Sequence, residues 1–194
     1  MKTKHHSGLF ITLLVIFLFS FIFDDIAFSF LDKIKNPLFD MFFGWITHFG
    51  NIFVVLILLT SLFLWTEKKR EWIPALWASY VFGIALSVTM KFLIQRPRPF
   101  FEIFYPAVNW SSYSFPSGHA MAAFAAIPIL DKEFPKLKWF WIFFAILAAV
   151  SRVYLGYHYL SDVLFGALLG YSIGWVFMEI EIRYKVFKRW IFSR

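Results

Sequence analysis

With 194 residues, 60% of them hydrophobic and only 16% charged, the chain is too apolar for a soluble domain, which averages about 45–50% apolar and 25% charged residues. The length suits one compact helical bundle, residues 1–194, with no separate soluble domain, and the absence of cysteine excludes disulfides, thiol catalysis and thiolate metal sites. A net charge of +7 would ordinarily raise nucleic acid as a partner; here a basic bias toward the cytoplasmic side of a membrane accounts for most of it, and no nucleic acid is expected.

In chain order, apolar stretches run over 7–23, 42–65 and 72–90, then more weakly over 117–130, 139–151 and 159–178. A spanning helix needs about 20 apolar residues, so the first three qualify alone. The later ones are interrupted by polar residues near one end, Asp162 among them. The pattern predicts an all-α polytopic membrane protein, a bundle of six transmembrane helices. Between the first two spans, residues 24–40 with Pro37 are expected to lie along the outer interface as a short amphipathic stretch. Trp45, Trp65, Trp72, Trp139 and Tyr159 fall near span ends, where aromatic rings anchor at the membrane surface. Lys2 and Lys4 ahead of an apolar core also fit a signal peptide, with Ala27-Phe28-Ser29 as its cleavage site. Asp24 and Asp25 fit that site poorly, and a retained helix is the expectation.

The basic residues give the orientation. Lys2, Lys4, Lys68, Lys69, Arg70, Lys132, Lys136, Lys138, Arg183, Lys185, Lys188, Arg189 and Arg194 share one side, thirteen of nineteen. Positive-inside places both termini in the cytoplasm. The loop after the third span, Arg152 and His158 then open on the extracytoplasmic side.

Ionisable residues at membrane depth are costly and point to function. Phe115-Pro116-Ser117-Gly118-His119 precedes an apolar helix. Proline suits a helix start, and the free N–H groups there bind anions. A simple helix cap explains the same residues. His119 falls in the first turn, facing whatever that turn holds; an inter-helix hydrogen bond is its alternative. Further on, His158 and Asp162 stand four apart, so one helical face is expected to carry both. Asp162 can then fix the imidazole tautomer and leave the other nitrogen as a nucleophile. Arg152 just before them can fork onto phosphate oxygens. A structural His–Asp pair is the competing reading. Lys91 and Arg98 close the third span on the side positive-inside disfavours, although basic chains also anchor at interfaces. Metal ligation is not expected, for want of a His-x-x-x-His pair or a carboxylate cluster.

Together these stretches resemble the three motifs of the type 2 phosphatidic acid phosphatase (PAP2) superfamily of membrane lipid phosphatases. They stand as Lys91-x6-Arg98-Pro99, Pro116-Ser117-Gly118-His119 and Ser151-Arg152-x5-His158-x3-Asp162, covering 91–162 in order. Arg96-Pro97 duplicates Arg98-Pro99, and the spacing from Lys91 selects Arg98. The resemblance implies a metal-independent enzyme without cofactors, acting on a lipid phosphate or pyrophosphate within membrane lipids. His158 would attack phosphorus to form a phosphohistidine, oriented by Asp162. His119 would protonate the leaving oxygen and then activate water. Lys91, Arg98, Arg152, Ser117 and Gly118 would hold the phosphate. Candidate substrates are undecaprenyl pyrophosphate, phosphatidylglycerophosphate, phosphatidate and lipid A 1-phosphate, in a bacterial cytoplasmic membrane. A lipid-to-acceptor phosphotransferase, or a non-catalytic lipid-phosphate binder or translocase, are the alternatives.

Overall fold

The computed structural model describes residues 3–48, 52–99 and 112–187. Of the basic residues that set the orientation, Lys2, Lys188, Arg189 and Arg194 lie outside these ranges, as does 100–111 of the loop after the third expected span. The described residues form eight α-helices: α1 Thr3–Lys33, α2 Pro37–His48, α3 Ile52–Thr66, α4 Ile73–Ile94, α5 Gly118–Ala125, α6 Ile127–Glu133, α7 Lys138–Tyr154 and α8 Leu160–Tyr184. Among the described residues the only extended pairing is a single bridge between Pro97 and Tyr113.

Among the described residues four stretches are long and apolar enough to cross a bilayer: Leu14–Lys33, Arg70–Ile94, Pro135–Tyr154 and Leu160–Tyr184. Apolar side chains such as Ile22, Phe30, Leu93 and Trp139 point outward from them, as a hydrocarbon surround permits. The other two expected spans are divided. Residues 42–65 fall on α2 and α3, with 49–51 outside the described residues. Residues 117–130 fall on α5 and α6, which part where Pro128 enters the first turn of α6. A proline there lacks the N–H that would continue α5.

The stretch 24–40 is not one separate segment as expected. Its first part completes α1, where Asp24 is buried, and its last part opens α2. Asn36 caps α2, its Oδ1 accepting from the N–H groups of Leu38 (3.1 Å) and Phe39 (3.0 Å). Tyr154 Oη donates to Asp40 Oδ1 at 2.8 Å, which ties α2 to the end of α7.

Helix α5 lies against α8 with almost no side chain between them. Gly166, Gly170 and Gly174 of α8 face the carbonyls of Ser117, Met121 and Ala125, so both helices are read at four-residue steps. A Cβ added at Gly170 or Gly174 would run into the Met121 or Ala125 carbonyl. Lipid tails are as apolar as side chains, so close backbone packing through small residues replaces the hydrophobic effect as the force joining such helices. The result is a rigid seat for the first turn of α5.

Candidate functional site

Four helix ends meet at one end of the bundle: α4 and α7 finish there, and α5 and α8 begin. Helix α4 closes on Gln95, left-handed at φ 52°. The following Arg-Pro-Arg-Pro stretch is tied to the residues ahead of α5 by the Ser114 N–H, which donates to the Arg96 carbonyl at 2.8 Å. Lys91, on the last turn of α4, is buried, and its Nζ donates to the carbonyls of Tyr113 and, at 3.4 Å, Ser114. Arg98 donates through Nη1 to the Tyr157 carbonyl at 2.9 Å. Arg152, in the last turn of α7, is buried with its guanidinium 4.4 Å from the centre of the Tyr157 ring.

Ser117 caps α5. Its Oγ accepts from the Ala120 N–H at 3.5 Å, and its own N–H donates to the Asp162 carbonyl at 3.0 Å. Gly118 and His119 are the first two residues of α5. His119 lies within electrostatic reach of Arg152, His158, Arg98 and Lys91. The residues singled out in all three motifs are therefore gathered at one place.

The sequence expectation is corrected at His158. It does not share a helix with Asp162, because α8 starts at Leu160. His158 belongs to a turn in which Gly156 is left-handed (φ 72°) and the N–H groups of Tyr157 and His158 both donate to the Arg152 carbonyl, at 3.0 and 3.2 Å. Gly156 breaks the helix, since only glycine adopts that φ without cost. Asp162 reaches back as a cap, its Oδ2 accepting from the Tyr159 N–H at 2.9 Å. His158 Nδ1 consequently stands 3.7 Å from Asp162 Oδ2, longer than a hydrogen bond. Burial first, then the charges of Arg98, Arg152 and Lys91, push the His158 imidazole well below the usual histidine range, with the Ser114 backbone opposing them. A neutral imidazole follows.

Sequence reasoning missed a set of polar groups behind Asp162. Arg96 Nη1 donates to Asp162 Oδ1 (2.7 Å) and Ser161 Oγ (2.6 Å), and Arg96 Nη2 to Asp24 Oδ2 (2.7 Å). With its guanidinium bound to two carboxylates, Arg96 is turned toward the protein, so it is Arg98 that stands with the other site cations. The available signal was Asp24 itself, a carboxylate beside an apolar run that needs a cation.

A chain whose described residues fold into helices, several of them of membrane length, is an integral membrane protein. The chain belongs to the PAP2 superfamily, whose family model matches residues 75–184. It is 33% identical to phosphatidylglycerophosphatase B of Bacillus subtilis, over 80% of this chain and 82% of that one. It is 34% identical to an undecaprenyl-diphosphatase of Sulfolobus acidocaldarius, over 66% of this chain and 64% of the relative. The crystal structure of the transmembrane PAP2 type phosphatidylglycerolphosphate phosphatase from Bacillus subtilis superposes with a TM-score of 0.70 at 26% identity, covering 90% of this chain and 96% of that one. The chain is accordingly a phosphoric monoester or diphosphate hydrolase.

Proposed function

We propose that this protein, a single domain of six spans, removes phosphate from a lipid phosphate monoester or pyrophosphate at the extracytoplasmic face, with both termini in the cytoplasm. The observation that carries the reading is the meeting of Lys91, Arg98, Arg152, His119 and His158 around the first turn of α5. Three cations and the N–H groups of a helix start suit a tetrahedral anion. The apolar outer surface of the helices suits the rest of a lipid. The distribution of basic residues supports the outward orientation.

In this reading Lys91, Arg98 and Arg152 take the phosphate oxygens, with Ser117 and Gly118 at the head of α5. Nδ1 of His158 faces Asp162, which leaves Nε2 for phosphorus. The lone pair on Nε2 forms the P–N bond as the bond from phosphorus to the lipid oxygen breaks. His119 gives that oxygen a proton; the bound anion's charge offsets the surrounding cations and lets His119 hold one. His119 then takes a proton from water, whose oxygen attacks phosphorus, breaks the P–N bond and releases phosphate. Such transfer depends mainly on position and charge, and fixed cations and N–H donors supply both without a metal.

The test is phosphate release in detergent, without added acceptor, from phosphatidylglycerophosphate, undecaprenyl pyrophosphate, phosphatidate and lipid A 1-phosphate. Release from at least one, lost in His158→Ala, is the expected result. Release from none of them, or undiminished release by the variant, overturns the reading.

A further inference from the structure

The cluster behind Asp162 joins three separate parts of the chain. Asp24 comes from α1, Arg96 from the loop after α4, and Ser161 and Asp162 from the first turn of α8. Asp24 Oδ1 accepts from the Ser161 N–H (2.8 Å), and Asp24 Oδ2 from Ser161 Oγ (2.6 Å) and Arg96 Nη2 (2.7 Å). The Asp24 and Asp162 side chains are 5% and 0% exposed, so neither carboxylate can be satisfied by water. The Arg96 guanidinium lies between them and stacks 4.0 Å from the centre of the Tyr159 ring. Its polar partners are Asp24, Ser161 and Asp162.

This geometry constrains Asp162 at both oxygens. Oδ1 is held by Arg96, so Oδ2 is the oxygen turned to His158 Nδ1. A carboxylate bonded to a bare arginine would lose much of its pull on the imidazole. A second carboxylate on the same guanidinium returns part of that charge. We infer that Asp24 and Arg96 are positioning residues for the His158–Asp162 pair, Arg96 aiming and countering the Asp162 carboxylate and Asp24 anchoring Arg96 while moderating its charge. The inference rests on His158 being the nucleophile. It also makes α1 part of the working site, since a chain cut after Ser29 would lack Asp24.

A purely structural clamp between α1 and α8 would use the same bonds, so the test must read charge at His158. The charged and titratable groups around the pair are Asp24 from α1, Lys91 from α4, Arg96 and Arg98 from the loop, His119 from α5, Arg152 from α7, and Tyr157 and Tyr159 from the turn before α8. Only Asp24 and Arg96 are changed in the experiment, and the lipid's own ionisation is common to every variant.

The measurement is kcat and KM against pH for wild type, Arg96→Gln, Asp24→Asn and the double variant, with Arg96→Lys retaining the charge and a thermal melt on each. Arg96→Gln removes a positive charge and should raise the acid limb of kcat/KM by on the order of one pH unit. It should lower kcat about tenfold or more while KM changes by less than about threefold. Asp24→Asn should move the limb the opposite way, the double variant should fall between, and Arg96→Lys should stay near wild type. Limbs that coincide, limbs that move in the same direction, or a loss confined to KM overturn the inference. If one single variant does not fold, the sign of the other's shift decides. A wild type without phosphate release, or a His158→Ala variant with full release, defeats the nucleophile reading and this inference with it. Release that depends on His158 with unmoved limbs defeats this inference alone.

Discussion

Adding one methyl group at Gly166 should disable the site without replacing any residue proposed to do chemistry. The Cβ of Gly166→Ala would lie 2.5 Å from the Ser117 carbonyl oxygen, where ordinary contact begins at 3.4 Å, so the two backbones must part by roughly 0.9 Å. The carbonyl belongs to the residue that caps α5, so the displacement passes straight to Ser117, Gly118 and His119. A misplacement of about 1 Å costs on the order of 10²-fold in rate where catalysis depends on position. We therefore expect kcat/KM to fall about 10- to 100-fold per folded molecule. Gly174→Ala is the control. Its clash, with the Ala125 carbonyl, is more severe but lies at the far end of α5. It should lower the melting temperature at least as much while sparing turnover by the folded fraction. The assay is phosphate release from detergent-solubilised protein, normalised to the folded fraction from a thermal melt. Wild-type kcat/KM in Gly166→Ala, or an equal loss of turnover in Gly174→Ala, would refute the idea that the glycine ladder seats the anion-binding turn.

Asp162→Asn should reduce kcat by on the order of 10²–10⁴-fold, because an amide neither selects the imidazole tautomer nor stabilises its charge; a loss under threefold in steady-state kinetics would contradict that role. The buried, neutral His158 also gives stability a pH dependence of known sign. Its folded pKa lies well below the usual value near 6.5, so below that pH the unfolded chain binds the extra proton. This contribution is complete above about pH 6.5 and is lost as pH falls below it; melts of wild type and His158→Gln should converge at neutral pH and separate only in acid. A difference that is largest at neutral pH would reverse the sign. Phosphate release should survive EDTA and be inhibited by vanadate, whose five-coordinate form imitates the phosphorus being transferred. Dependence on an added divalent ion would contradict metal-free charge stabilisation.

What the sequence disclosed, and what it hid, follows from the range of the interactions. The apolar runs marked the helices because a bilayer demands length, and the motif residues were legible because charge is costly there. Lys91, Ser117, Arg152 and Asp162 all reach the same end of the bundle. The helix shared by His158 and Asp162 was misread, since a spacing of four looks the same within a helix and across a cap. Gly156 was the sign of the break. The Gly166–Gly170–Gly174 ladder was likewise present as a four-residue repeat of small residues. Asp24 and Arg96 were harder. Their pairing spans 72 positions and depends on α1 reaching the start of α8, which local pattern does not encode. Pro128 divides one expected span, and residues 49–51 of another lie outside the described residues, so six crossings were not legible from helix length alone.

The central claim is that the phosphoryl group passes through His158. Radiolabelled lipid phosphate mixed with enzyme and stopped in alkali should leave an acid-labile, base-stable label on the peptide carrying His158. That label should form on the wild type and vanish in His158→Ala, while His119→Ala, lacking the proton donor for the leaving oxygen, should label more slowly. Equal labelling of the His158→Ala protein, or a label on another residue, would contradict the account.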